Sequence, residues 1–199
     1  MDRQQGRGRA ARARPGGSNR IRVIAGRYRG RRLRFPDRPG LRPTADRLRE
    51  TLFNWLAADL PGSRCLDAFA GSGALGIEAL SRGAAQVVFL ERDGAAAAAL
   101  AANLSLLGAE GGRVVRDDAL RWLAHTDEPF QIAFLDPPFA GQLLERVLDL
   151  LAARRLVVPG GWVYLESPAR ASPALPPSWR LHRQAQVGAA VGRLVQVGG

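Results

Sequence analysis

The tetrapeptide Asp136-Pro137-Pro138-Phe139 has the residue types of a receptor for a planar aromatic amine. It follows an apolar run, 132–135, which predicts a buried strand that stops abruptly at a rigid turn. Neither proline can donate a backbone N–H, so the turn offers acceptors, namely the Asp136 carboxylate and nearby carbonyl oxygens. Phe139 adds a flat apolar face. Two acceptors beside an aromatic plate suit a planar ring that carries an amino group, as a nucleobase does.

A glycine-rich segment lies between a second predicted strand, 63–67, and a helix. Residues 71–76 read GSGALG, which fits the dinucleotide-binding fingerprint and lets the backbone approach a cofactor closely. Asp67 changes the expected ligand, because a carboxylate four residues before the first glycine would repel a pyrophosphate. It favours a cofactor that is cationic at this point, such as S-adenosylmethionine with its ammonium and sulfonium groups. Glu91, which ends the next predicted strand, can accept hydrogen bonds from both ribose hydroxyls.

Alternating strands and helices after residue 64 predict an α/β fold with a doubly wound, mostly parallel seven-stranded sheet. Two weaker strands, 179–187 and 190–197, are expected to close one edge as a hairpin. Ligands of such sheets bind at the carboxyl ends of the strands. Four acids fall at these ends and form one constellation: Asp67, Glu91, Asp118 and Asp136.

Charge is distributed unevenly along the chain. The formal net charge is +11, and all of this excess lies in the segment 1–34, which is rich in arginine and has Asp2 as its one acid. The rest of the chain is neutral overall. Such asymmetry is typical of a protein that binds a polyanion. Residues 1–19 predict a disordered tail, residues 20–40 a basic β-hairpin that contacts RNA, and residues 41–199 a single catalytic domain. Tyr28, among the arginines of the hairpin turn, is expected to stack on bases.

Other features narrow the class of protein. The single cysteine, Cys65, excludes an internal disulfide framework, and its place in a strand predicts a small core residue. The two histidines, His125 and His182, have no neighbouring Cys or His, so no metal site is expected. No apolar stretch is long enough to predict a transmembrane helix, and the N-terminus lacks the apolar core of a signal peptide. The expectation is a soluble, cytoplasmic protein, and no apolar stripe favours more than a monomer.

Five segments carry a resemblance to a known family. They are 42–44 (RPT), 49–56 (RETLFNWL), 66–76 (LDAFAGSGALG), 78–82 (EALSR) and 136–139 (DPPF). The chain resembles the RsmD family of class I, Rossmann-like methyltransferases, which use S-adenosylmethionine to modify the exocyclic N2 of a guanine in 16S ribosomal RNA. The resemblance runs from about residue 21 to residue 197. The segment 1–19 and the segment after Arg193 match poorly.

The resemblance implies roles for particular residues. Asp136 and the Pro137 carbonyl would hold the guanine N2 so that its lone pair faces the sulfonium methyl, and Phe139 would stack on the flipped base. The residues expected to bind the cofactor are Asp67, Phe69, Gly71, Ser72, Gly73, Glu91, Arg92, Asp118 and Ala119. Those expected to contact RNA are Arg27, Arg29, Arg31, Arg32, Arg42, Thr44 and Pro138. The family also favours an assembled small ribosomal subunit over free RNA as the substrate.

Three other interpretations are consistent with parts of the sequence. An amino-methyltransferase could act on DNA adenine or on protein glutamine, although the basic hairpin disfavours protein and no separate DNA-reading domain is present. A nicotinamide oxidoreductase would use the glycine loop and leave the proline tetrapeptide unexplained. A non-catalytic RNA-binding assembly factor would need neither Asp67 nor Asp136.

Overall fold

The computed structural model describes residues 20–36, 46–138 and 142–198. The predicted tail, 1–19, lies outside the described residues, as do three predicted site residues, Arg42, Thr44 and Phe139. In chain order the described elements are β1 (Arg20–Arg22), β2 (Arg32–Arg34), α1 (Asp46–Trp55), β3 (Arg64–Asp67), α2 (Ala74–Ser81), β4 (Gln86–Leu90), α3 (Gly94–Leu107), β5 (Gly112–Val115), α4 (Ala119–His125), β6 (Phe130–Leu135), α5 (Gln142–Ala153), β7 (Val157–Pro168), β8 (Arg180–Val187) and β9 (Ala190–Gln196).

The predicted seven-stranded sheet is confirmed. Its strand order is β5-β4-β3-β6-β7-β9-β8, with the pairs from β5 to β7 parallel and the pairs of β9 antiparallel. The chain builds outward from β3 in one direction and then returns to place β6 on its other side. The carboxyl ends of β3 and β6 therefore flank the topological switch point, where ligands of this fold class bind. Asp67 ends β3, and Asp136 follows β6 directly.

Two apolar layers cover the two faces of the sheet. Helices α1, α2 and α3, together with the small β1–β2 hairpin, pack on one face around Phe53, Phe89 and Phe134. Helices α4 and α5 pack on the other face around Leu123 and Leu148. Cys65 is fully buried in the first layer, as expected for a core residue.

Strand β7 is longer than the sequence pattern predicts. The apolar run indicated a strand from Gly161 to Glu166, whereas pairing with β6 begins at Val157. A register shift interrupts that pairing, and Gly160 sits at the shift with a positive φ of 79°. Because of this irregularity, the first part of the strand does not continue the period-two alternation of the rest, so the sequence pattern did not predict it.

Candidate active site

The glycine loop makes a tight entrance to helix α2. Gly71 and Gly73 have positive φ angles of 50° and 78°, which residues with a Cβ rarely adopt. A Cβ on Gly73 would lie 2.4 Å from a Leu100 side-chain atom, and one on Gly76 would lie 2.1 Å from the Phe89 ring. The loop and the first turn of α2 therefore press against α3 and β4 with no space for side chains. This is the geometry that a glycine-rich cofactor loop requires.

Asp67 is buried beneath this loop, with 2% of its surface exposed. One carboxylate oxygen, Oδ2, accepts the Gly76 N–H at 3.0 Å, so Asp67 ties the end of β3 to the first turn of α2. Burial raises the pKa of Asp67 to about 7, the Gly76 N–H opposes that rise, and the negative charges of Asp136 and Glu91 add to it. The sequence predicted a negative charge facing a cation here. The structure adds a second role, because the same carboxylate holds the loop in place.

Glu91 connects two loops at the carboxyl end of β4. Its Oε2 accepts the Gly71 N–H at 2.8 Å, and its Oε1 accepts the Asp93 N–H at 2.7 Å. Both oxygens therefore have a fixed orientation. Since a carboxylate can accept about four hydrogen bonds, ribose hydroxyls could add to these two. Contact with a ribose stays a prediction.

The other residues expected to bind the cofactor lie around the same edge of the sheet. Ser72 and Ala119 are buried, Phe69 is half-buried against the second apolar layer, and Arg92 is exposed. Asp118 is exposed and caps α4, where its side chain accepts the Arg121 N–H at 3.1 Å. Asp118 thus fixes the start of the helix that follows the loop after β5.

Asp136 stands where β6 stops. Its side chain is half-buried, Pro137 is buried and Pro138 is exposed, so the turn runs from the interior towards the surface. The prediction of a strand that ends abruptly at this acid is confirmed by β6, which ends at Leu135.

A row of four carboxylates crosses adjacent strands near their carboxyl ends, and three of the four were predicted from the sequence. Asp67 is set back from its neighbours by two residues, because it pairs with Phe89 and Phe134. Strands β4, β3, β6 and β7 carry, in that order, Glu91, Asp67, Asp136 and Glu166. The residue two places earlier in each strand belongs to the first apolar layer, so all four side chains lie on the same side of the sheet. Glu166 is 8% exposed and pairs in register next to Asp136, because Leu135 lies opposite Leu165. The row makes this edge strongly attractive to cations and hydrogen-bond donors.

The basic hairpin is joined to the catalytic domain by buried polar contacts. Glu78 of α2 is 1% exposed, and its carboxylate accepts the N–H groups of Ile24 and Ala25 at 2.8 and 3.0 Å. It also pairs with Arg82 at 2.7 Å. On the neighbouring helix α1, the buried Arg49 donates to the Arg22 carbonyl at 2.6 Å. The hairpin is therefore held in one orientation relative to the glycine loop at the other end of α2.

The hairpin turn rests on the far end of α2. Ser81, the last residue of this helix, accepts the Arg27 N–H through its carbonyl and the Tyr28 N–H through its hydroxyl. Tyr28 is 8% exposed and belongs to the first apolar layer. The expectation that Tyr28 stacks on bases is therefore wrong, because its ring fills the contact between hairpin and helix. Arg27, Arg29, Arg31 and Arg32 are exposed, as a phosphate-binding surface requires.

Loss of the Glu78 carboxylate is expected to loosen the hairpin. Glu78→Gln leaves one acceptor for three donors, so we expect the free energy of unfolding to fall by about 3 kcal/mol. The affinity for RNA should fall with it, while cofactor affinity stays the same. Chemical denaturation and two binding titrations measure these quantities, with the exposed Glu50→Gln of α1 as the matched control. Equal losses in the two variants would contradict a clamping role for Glu78.

The described residues contain neither a cluster of metal ligands nor a membrane-spanning helix. Within ranges 20–36, 46–138 and 142–198, no three His, Cys, Asp or Glu side chains come together as metal ligands would. Over the same ranges, no helix combines the length and apolarity needed to cross a membrane.

The sheet order, the glycine loop at the switch point and the acids along the carboxyl edge define a class I methyltransferase fold with an N-terminal hairpin. The solved structure of yhhF from Escherichia coli superposes with a TM-score of 0.85 at 44% identity, covering 90% of this chain and 99% of that one. A family model described as "Conserved hypothetical protein 95" matches residues 21–196.

Curated relatives identify the family. Ribosomal RNA small subunit methyltransferase D of Escherichia coli is 48% identical over 181 residues, which is 90% of this chain and 91% of the relative. The protein of the same name from Haemophilus influenzae is 41% identical over 186 residues, covering 92% and 96% of the two chains. The chain belongs to the family of ribosomal RNA small subunit methyltransferase D.

Proposed function

We propose that this protein transfers a methyl group from S-adenosylmethionine to the exocyclic N2 of a guanine in 16S ribosomal RNA. The observation that carries the proposal is the placement of Asp67 and Asp136 on the same side of the sheet, at the ends of the two strands that flank the switch point. One acid lies under a glycine loop suited to a cofactor, and the other opens a turn suited to an aromatic amine. Close relatives named as small-subunit ribosomal RNA methyltransferases support the choice of acceptor.

The residues around the glycine loop fit S-adenosylmethionine. Gly71 and Gly73 allow close backbone approach, and the charges of the buried Asp67 and the half-buried Glu91 favour a cation over a pyrophosphate. Asp67, Phe69, Gly71, Ser72 and Gly73 would hold its amino-acid part. Glu91 with Arg92 would hold the ribose, and Asp118 with Ala119 would lie near the adenine. When bound, S-adenosylmethionine supplies an electrophilic methyl group on a sulfonium.

Asp136 and Pro137 would position the amine that is methylated. A guanine amino group is a poor nucleophile because its lone pair is delocalised into the ring. Hydrogen bonds from both N2 hydrogens, one to the Asp136 carboxylate and one to the Pro137 carbonyl, would favour a pyramidal nitrogen with a localised lone pair. As N2 becomes cationic, the row of four carboxylates stabilises the developing charge. Asp136 need not be a strong base, since the methylated cation loses its proton readily.

The base must leave its stack to reach this turn. Phe139, which lies outside the described residues, and the exposed Pro138 would cover the flipped base. Stacking of this kind contributes roughly 1–3 kcal/mol and offsets part of the unstacking cost. Arg42 and Thr44, also outside the described residues, would contact the RNA substrate.

The exposed arginines of the hairpin would bind phosphates without reading sequence. Replacing Arg29 and Arg32 by glutamine is expected to lower the slope of log affinity against log salt concentration by about 1.5 to 2. Titrations of ribosomal RNA at several salt concentrations measure the slope. Replacing Arg146 and Arg155, which are exposed at or just after the α5 helix on the other side of the sheet, is the matched control. An unchanged slope would show that the hairpin arginines are only solvated.

Transfer of a tritiated methyl group tests the proposal against its alternatives. The acceptors are small ribosomal subunits, naked ribosomal RNA, DNA and protein, each with the full chain. Label in small-subunit RNA, located in N2-methylguanine after hydrolysis, is the expected result. Label found in adenine or in glutamine would show that the enzyme methylates a different amino group. Tight binding of RNA without any methyl transfer would show that the protein is an assembly factor. Comparing the first two acceptors decides whether the assembled subunit, the acceptor we favour, is required.

We further propose that the protein acts as a monomer in the cytoplasm.

A further inference from the structure

Beside Asp136, on the neighbouring strand, lies an acid that contributes only its charge to the reaction described above. Leu135 of β6 pairs with Leu165 of β7, so Asp136 and Glu166 are the next residues along two adjacent parallel strands. Neighbouring strands lie about 4.8 Å apart. Glu166 is on the same side of the sheet as Tyr164, whose hydroxyl donates to its carboxylate, and the charge of Asp136 also acts on that hydroxyl. A flat ligand whose amino group reaches Asp136 can therefore place one adjoining edge against Glu166.

The orientation of Glu166 is fixed by a buried partner. The Tyr164 hydroxyl donates to Oε1 of Glu166 at 2.8 Å, and Tyr164 is fully buried. Burial raises the pKa of Tyr164 well above its usual value, and the charges of Glu166 and Asp136 raise it further. The hydroxyl therefore remains a donor throughout the physiological range. A carboxylate can accept about four hydrogen bonds, so Glu166 can accept others besides this one.

The backbone opposite makes room for this pair. Gly192 of β9 lies opposite Glu166, and a Cβ on it would lie 2.5 Å from the Tyr164 hydroxyl oxygen. Glycine at 192 thus permits the hydroxyl to reach the carboxylate. Two neighbouring carboxylates that are largely shielded from solvent repel each other. A ligand edge with two hydrogen-bond donors, one for each carboxylate, reduces that repulsion.

Guanine has such an edge and adenine does not. Next to the 2-amino group, guanine carries N1–H, a donor, whereas N1 of adenine or of 2-aminopurine is an acceptor. We propose that Glu166 accepts the N1–H of the target guanine while Asp136 and Pro137 hold its N2, so that Glu166 determines the choice of base. An acceptor at N1 would face the carboxylate with two lone pairs opposed, and such a mismatch strongly disfavours binding. This inference rests on the proposed function and identifies the residue that gives it guanine specificity.

The test compares two bases that share the reacting amino group. Small ribosomal subunits are reconstituted with 16S ribosomal RNA that carries either guanine or 2-aminopurine at the methylated position. The readout is the ratio of kcat/KM for guanine to kcat/KM for 2-aminopurine. In Glu166→Gln the amide can accept N1–H from guanine or donate to N1 of 2-aminopurine. We expect the ratio to fall about tenfold or more relative to the wild type, through faster transfer to 2-aminopurine.

Two further variants separate specificity from folding. Tyr164→Phe removes the hydroxyl that orients Glu166 and keeps the ring, so the ratio should fall in the same direction even if Glu166→Gln fails to fold. Glu110→Gln, exposed at the amino end of the sheet, should keep the wild-type ratio. Loss of transfer to both bases in equal proportion is what a purely structural role predicts, and it would overturn the inference. An absence of transfer to guanine by the wild type would instead overturn the proposed function.

Discussion

Replacing Asp136 by alanine is expected to reduce methyl transfer by about 10³-fold or more and to leave cofactor affinity nearly unchanged. The reason is a division of labour across the switch point. Asp136 opens the turn after β6 that we propose holds the substrate amine, whereas the glycine loop is held by Asp67 and Glu91 through hydrogen bonds to Gly76 and Gly71. None of those bonds involves Asp136, so its loss should not open the loop.

Removing the Asp136 charge has one electrostatic side effect on the cofactor site. The carboxylate raises the pKa of Asp67, so Asp136→Ala should lower that pKa and leave Asp67 more fully ionised at neutral pH. Cofactor affinity should therefore hold or improve slightly. Isothermal titration with S-adenosylmethionine and single-turnover transfer measure the two quantities, with the exposed Asp149→Ala of α5 as control. Equal losses of affinity and transfer would contradict the division.

The sequence predicted the positions of Asp67, Glu91 and Asp136 because each comes at the end of a predicted strand, and Glu91 and Asp136 directly follow apolar runs. A parallel sheet buries both faces of its strands, so a charged residue after such a run marks the strand end. All carboxyl ends of parallel strands meet at one edge, and this brings residues about 70 positions apart in the chain to the two sides of the switch point. The alternation of predicted strands and helices along the chain was therefore enough to predict that these acids share one edge of the sheet.

The roles of Glu166 and Tyr28 depend on pairings that a sequence pattern does not contain. Glu166 directly follows the apolar run 162–165, just as Glu91 follows its own run, but its place beside Asp136 depends on the pairing register of two strands separated by helix α5. Tyr28 has the local pattern of an exposed turn between arginines, and its burial depends on Ser81, 53 residues further along. Local pattern does not contain such pairings. Glu78 was part of a family motif, but its role as a clamp depends on the same distant docking of the hairpin.

Asp67→Asn is expected to weaken S-adenosylmethionine binding by about 10- to 100-fold at about pH 7.5, where most of the wild-type carboxylate is ionised and the α-amino group of the ligand is still largely protonated. Asparagine can still accept the Gly76 N–H through its oxygen, so the glycine loop should keep its shape while the negative charge is lost. S-adenosylhomocysteine keeps the ammonium but has a neutral sulfur. Its affinity should fall less, and the difference between the two losses measures the contribution of the sulfonium charge. Equal losses for both ligands would show that Asp67 contacts only the part of the cofactor that they share.

The dependence of cofactor affinity on pH provides an independent check of the same charge. Because the pKa of Asp67 is raised to about 7 in the free protein, the carboxyl is mostly protonated at pH 6 and mostly ionised at pH 8. A cation binds the ionised form better, so the ratio of wild-type affinity to Asp67→Asn affinity for S-adenosylmethionine should rise through this range. The α-amino group of the ligand, whose usual pKa is about 8, titrates with both proteins alike and cancels in this ratio. The free energy of unfolding of the free protein should change with pH in the opposite direction to this affinity ratio. Between about pH 4 and pH 7 the folded state retains a proton that the unfolded chain has lost, so the Asp67 contribution to the free energy of unfolding decreases as pH rises. The wild type and Asp67→Asn are compared in their binding free energies and in their free energies of unfolding. If both differences stay constant from pH 5 to pH 8, position 67 holds no buried carboxyl that titrates in this range.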